Sequence, residues 1–191
     1  MGPWSILPCQ WLPLPAVYGL KGHSLLFRYE PGQSRALFVE LETKDGRIET
    51  PEIMPRTDGT TYVCGLSSEE ALPVDPADVR VEVGAPEQLQ RMTAAVAPDL
   101  GAAEVLAAKA CFRPVTMDGM PVIGAVPDVA GAYVATGHSV WGMLNAPAAG
   151  EAVAELIVDG DATTVDIAPF RPERLEVLDP RQLGLPPTAS G

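Results

Sequence analysis

Cysteine is scarce in this chain: Cys9, Cys64 and Cys111 are the three in 191 residues. Their number is odd, their spacing wide and no C-x-x-C occurs, which excludes a disulfide framework and the usual zinc spacings. They read as buried thiols in a reducing compartment, and no metal ligand set is expected. Basic residues are few as well, 13 Lys and Arg against 25 Asp and Glu, for a formal net charge of -12. A surface of that sign excludes the phosphate backbone of nucleic acid and an anionic membrane face as natural partners. Long apolar runs are also lacking. The first 20 residues are apolar but broken by Pro3, Pro8, Pro13 and Pro15, and no basic residue precedes Lys21. Such a segment meets the requirements of neither a signal peptide nor a membrane span. Gly2 is followed by Pro3 and Ile6, outside the myristoylation pattern. The expectation is a soluble, cytoplasmic protein without a membrane span.

What is present is ordinary globular material, 47% hydrophobic and 20% charged, enough for one large domain or two small ones. An extended run in 14–30 and a second in 35–43, joined by the turn EPGQS, predict an antiparallel strand pair. KDGR marks the next turn, and TDGTTYVCGLS at 57–67 a further turn followed by a strand with Tyr62, Val63 and Cys64. The first third therefore reads as mostly sheet. Leu89, Met92, Ala95 and Val96 then recur at helical spacing between Pro86 and Pro98, predicting a helix of about ten residues. The stretch before Pro114 ends as strand. Asp118–Gly119 is a turn, a short apolar strand follows, and AYVAT at 132–136 suits a strand buried on both faces with layers on either side. Leu144, Ala148, Ala152, Val153 and Leu156 form an apolar stripe for a helix over 143–158. The proline-rich remainder to LPPTASG reads as a tail wrapping the surface and then fraying.

Three groups could carry chemistry. In YVATGHSVWGMLNAPAAGEAVAELIVDG, Gly137 and Gly142 bracket His138, Ser139, Val140 and Trp141 just before the helix. Glycines admit close backbone approach, and a helix N-terminus offers unpaired N–H groups that favour a negative ligand. The same turn also occurs structurally in many α/β proteins. Arg113, beside Pro114 at a strand end, could hold a carboxylate by a bidentate pair; the alternative is a surface Arg paired with Asp118 or solvated. His23, in GLKGH, reads as a structural hydrogen-bonding residue or a functional one.

CFRPVTMDGMPVIGAVPDVAGAYVATGHSVWGMLNAPAAGEAVAELIVDG resembles the C-terminal part of FAD-dependent oxidoreductases of the D-amino-acid oxidase and glycine oxidase superfamily. The shared pattern is RP.T.DG.P.IG, a loop, a strand, then GH...G...AP..G opening the last helix. GPWS at 2–5, AVYGLKGHS at 16–24 and GTTYVCG ending at Gly65 carry further likeness. The GHSVWGMLNAP version is most similar to an oxidoreductase branch of fungi and plants.

The resemblance implies an α/β (α+β) chain: a mixed-sheet substrate domain plus the C-terminal strands and helix of an incomplete Rossmann-like FAD domain. Residues 1–15 would end the first half of that FAD domain, 16–110 form the substrate-type domain, 111–160 the returning strands and last helix, and 161–191 the tail. The family's G-x-G-x-x-G loop and acidic ribose partner are absent from this chain, so a fragment, truncated gene model or shortened isoform is expected. FAD is the implied cofactor and a small-molecule amine or amino acid the implied substrate, with hydride passing from substrate C–H to flavin N5. The implied cofactor contacts are Gly137, His138, Ser139, Gly142, Met143 and Leu144; the implied substrate contacts are Arg113 and Trp141, and no general base is assigned. Apolar faces left open would favour self-association. The alternative is a non-catalytic interaction protein derived from the same fold, serving endosomal trafficking.

Overall fold

The computed structural model describes residues 2–32, 35–43 and 46–184. Parts of the EPGQS and KDGR turns and the final LPPTASG lie outside the described residues. The chain divides into two compact units, one of residues 1–20 with 113–191 and the other of 21–112.

The second unit is built on a five-stranded sheet of order β2-β5-β6-β1-β7, with β1 Tyr18–Phe27, β2 Leu37–Phe38, β5 Glu52–Pro55, β6 Thr61–Ser68 and β7 Val105–Val115. β3 Leu41–Glu42 and β4 Ile48–Glu49 form a separate small ladder. The predicted pairing of 14–30 with 35–43 does not occur. β1 pairs antiparallel with β6, from Lys21↔Ser68 to Phe27↔Thr61, while β2 pairs with β5 and β3 with β4. The reason lies in the side chains. β1 and β6 each bury a face, with Leu25, Phe27 and Val63 at the centre of one core cluster, whereas Leu37 and Phe38 are adjacent, point to opposite faces of a strand and are both exposed.

α1 Ala85–Val96 and the single turn α2 Pro98–Gly101 cover this sheet. Leu89 and Met92 are buried three residues apart, and Leu89 joins Leu25, Ile53, Val63 and Leu100 in the cluster. The helical spacing read from 86–98 thus formed the helix it predicts. Burying Leu89 alone stabilises by about 2 kcal/mol on an area basis.

In the first unit, β8 Val122–Ala125 and β9 Tyr133–Thr136 form an antiparallel hairpin with Ile123 opposite Ala135 and Gly124 opposite Val134. β8 is the strand buried on both faces. Val122 packs with Cys9, Leu14, Val126 and Val134, and Ile123 with Ala149, Ala152 and Ile167 on the other side. For β9 that expectation fails: Val134 and Thr136 are buried but Tyr133 and Ala135 are exposed, so the strand alternates. Helix α3 Gly142–Val158 sits over Ile123 through Ala149, Ala152, Val153 and Leu156, an i, i+3, i+4, i+7 stripe. The stripe is narrower than predicted, because Leu144 and Ala148 are exposed.

The proline-rich stretch after 160 is more than a surface tail. Ile167 and Pro172 are buried, and Leu175, Leu178 and Leu183 pack on the Val122 cluster. Of the cysteines, Cys9 and Cys64 are buried as expected, but Cys111 is exposed because it alternates along β7 with the buried Phe112.

Candidate functional site

Residues 137–144 form the join between β9 and α3. Gly137 closes the strand with φ +78°, a left-handed conformation that glycine adopts at little cost. A Cβ there would stand 2.9 Å from the Thr116 methyl Cγ2. That methyl is not free to swing aside, since Thr116 Oγ1 lies 2.6 Å from Met120 O and 3.0 Å from Asp118 Oδ1. Glycine is required at 137 for two independent reasons.

His138 to Trp141 make one tight turn, with Trp141 N–H donating to His138 O at 2.9 Å and Ser139 held at φ 50°. The helix then starts at Gly142 with no side chain bonded across its N-cap, so its first N–H groups keep their partial positive charge. Pro147 lacks the N–H that would bond Met143 O, a further polar group left at this end. Trp141, Met143 and Leu144 project outward, at 57%, 94% and 72% exposure. The predicted contacts Gly137, His138, Ser139, Gly142, Met143, Leu144 and Trp141 are therefore contiguous in space, but they divide into two sets. The large apolar side chains face outward, whereas His138 turns inward.

His138 lines a cavity of about 210 Å³ beneath α3, walled by Ile123, Ala149, Ala152, Ile167 and Phe170, with Asn145 at its edge. Its Nε2 is shut off from solvent and has no hydrogen-bond partner among the described residues. Burial pushes the imidazole pKa down and favours the neutral ring.

Arg113 stands half-buried on β7, three residues before Thr116. Asp118, the partner considered for it, is engaged by Arg174. Arg174 Nε donates to Asp118 Oδ2 at 2.7 Å and Nη2 to Oδ1 at 3.1 Å. This fork, with the Thr116 hydroxyl and the Met120 N–H, holds the Asp118 carboxyl well below the usual carboxylate range. Sequence reasoning missed Arg174 because the pair spans 56 residues. His23, by contrast, resolves as structural: Leu66 O lies 3.1 Å from Nδ1 and the Glu82 N–H donates to Nε2 at 3.2 Å.

A family model described as DAO, FAD dependent oxidoreductase, matches residues 1–156. The chain belongs to this family. TDA3 of Saccharomyces cerevisiae is 34% identical over 182 residues, which cover 91% of this chain and 33% of that protein. Glycine oxidase of Geobacillus kaustophilus is 40% identical over 93 residues, 49% of this chain and 24% of the relative. The crystal structure of that glycine oxidase superposes with a TM-score of 0.70 at 30% identity, covering 90% of this chain and 43% of the other. The mixed α/β fold with antiparallel sheets is thus that of the matched part of glycine oxidase, and the matches cover from 24% to 43% of the lengths of these relatives. No helix among the described residues is long and apolar enough to cross a membrane.

The residues present fit one side of a flavin. Uncapped amides suit a ring edge that gains negative charge, and exposed Trp141, Met143 and Leu144 suit a flat apolar surface.

Proposed function

We propose that this chain supplies the flavin-ring side and the substrate-type sheet of an FAD-dependent amine or amino-acid oxidoreductase working in the cytoplasm. In this reading residues 1–15 and 111–160 belong to the FAD domain and 16–110 to the substrate domain. FAD, when bound, supplies the acceptor for a hydride from the C–H beside the substrate's amine nitrogen. The residues of this chain hold and orient. The N–H groups opening α3, around Gly142, Met143 and Leu144, would donate to the ring edge where negative charge develops. Gly137 and Ser139 set the turn that aims them. His138 anchors that turn from below, and Trp141 excludes water from the ring. Arg113 would pair with a substrate carboxylate through its planar fork.

The observation that carries this reading is the uncapped N-terminus of α3 set directly after Gly137 and flanked by exposed apolar side chains. The test is the visible spectrum and flavin fluorescence of the purified chain after adding FAD. A bound, quenched flavin is expected; free flavin alone in the filtrate would overturn the catalytic reading for this chain. In the active protein Arg113→Ala should raise the KM for amino acids at least about tenfold, the loss of a charge-assisted bidentate pair. An unchanged KM would remove Arg113 from the site.

The exposure of Trp141, Met143 and Leu144 also favours a second reading, a non-catalytic protein that self-associates or binds a trafficking partner through this face. Sedimentation of the chain with and without FAD separates the two, since a flavin-occupied face would no longer drive association.

A further inference from the structure

Arg174 lies well outside the residues assigned to the flavin face, yet its side chain is almost fully engaged. A guanidinium has five N–H donors, and here each meets an acceptor. Nε and Nη2 hold Asp118, Nη2 also donates to Met120 O at 2.7 Å, and Nη1 donates to Phe170 O at 2.8 Å and Arg171 O at 3.2 Å. The side chain is only 15% exposed and Asp118 29%. Three acceptors sit on the 118–120 turn and two on the C-terminal segment, so the group ties one to the other. Pro172 of the same segment lies against β8, where a Cβ on Gly124 would come within 3.0 Å of Pro172 Cδ.

The turn held in this way is the one that fixes Thr116. Asp118 Oδ1 accepts from the Met120 N–H at 3.1 Å, and the Thr116 hydroxyl is enclosed between Asp118 Oδ1 and Met120 O. The Thr116 methyl in turn occupies the space beside Gly137 that any larger residue would need. An unbroken series of contacts therefore runs from the C-terminal segment through Arg174, the Asp118 turn and the Thr116 methyl to Gly137, the first residue of the 137–144 turn.

We infer that Arg174 is a positioning residue: by clamping the 118–120 turn it holds the Thr116 methyl against Gly137 and thereby fixes the turn from which the α3 amides point. Its relevance to flavin rests on the proposed function; the mechanical coupling does not.

The experiment is amide NMR on the full chain, wild type against Arg174→Ala, Arg174→Lys and Thr116→Ser, first without flavin. Arg174→Ala should shift the Gly137, His138 and Trp141 amides at least about fivefold more than those of 152–158 on the same helix. Arg174→Lys should not restore them, because an ammonium cannot reproduce the fork that serves both turn and segment. Thr116→Ser deletes only the methyl and should shift the same three amides while leaving 170–178 in place. Shifts confined to 116–122 and 170–178 in Arg174→Ala, or no shift at Gly137 in Thr116→Ser, would overturn the coupling. Should Arg174→Ala unfold, seen as collapse of the 152–158 peaks, the Thr116→Ser outcome decides alone. With FAD added, Arg174→Ala should weaken binding about tenfold. Loss of flavin binding in wild type as well would overturn the flavin reading and leave the amide shifts to judge the coupling.

Discussion

The chain has two histidines, and they sit in opposite kinds of surroundings. His23 is on β1 just past a register shift, 4% exposed, with both ring nitrogens engaged. With the Glu82 N–H donating to Nε2, Nδ1 is the ring nitrogen that donates to Leu66 O; the site fixes one tautomer. His138 is on an irregular turn beside a cavity and leaves Nε2 buried and unmatched. The difference teaches where this protein spends its order. His23 is held from both sides by backbone groups distant in sequence, although Ser68 Oγ of the same unit has no partner among the described residues, whereas the 137–144 turn combines an unpartnered ring nitrogen, a helix start without a side-chain cap and exposed apolar side chains, the features of a surface arranged for something else to complete.

Gly137→Ala should cut deepest, because it forces an L side chain into φ > 0 and against a methyl that cannot rotate away. The expected loss is about 3 kcal/mol in denaturant unfolding of this unit. A change under about 1 kcal/mol would mean that Thr116 yields more easily than its hydrogen bonds suggest. Next, His23→Leu should cost about 2 kcal/mol by leaving the Leu66 carbonyl and the Glu82 amide unpaired. His138→Leu, which removes an orphaned polar atom and keeps apolar bulk, should be close to neutral. Equal losses at the two positions would erase the contrast between them.

The smallest effect is on pH dependence. The His138 pKa is lowered by burial, so the unfolded chain binds the proton more readily; its contribution is complete above about pH 6.5 and is lost as pH falls toward the lowered folded value. Asp118 is also lowered, chiefly by its hydrogen bonds from Arg174, so its contribution is present above about pH 4 and lost below that. Stability should decline in two steps on acidification, and His138→Leu should remove the first while keeping the second. A single step below pH 4 in wild type would contradict the burial of His138.

Much of this was legible in the sequence where the signal is local. The spacing of Leu89 and Met92 predicted α1, and the run from Tyr133 through Leu156 predicted a strand, a turn and α3, because periodicity and glycine placement act over a few residues. Family pattern in RP.T.DG.P.IG and GH...G...AP..G drew attention to the same turn. What escaped was non-local. The strand partners of β1 are decided by which faces reach a common core, so the neighbouring run at 35–43 looked like the obvious mate and was not. β9 alternates in burial although AYVAT is apolar throughout. The engagement of Asp118 by Arg174, with the packing of Ile167 and Leu175 that brings it there, depends on a proline-rich stretch whose composition suggested only a wrapping tail.

The most direct test of the flavin-face assignment is a fluorescence titration of FAD with the wild-type chain and with Gly137→Ala, the latter used at a temperature where its folded signal persists. Saturable quenching by wild type that is weakened at least about tenfold in Gly137→Ala is the predicted result. Quenching of equal strength in both proteins, or none with wild type, would contradict the placement of the flavin ring on residues 137–144.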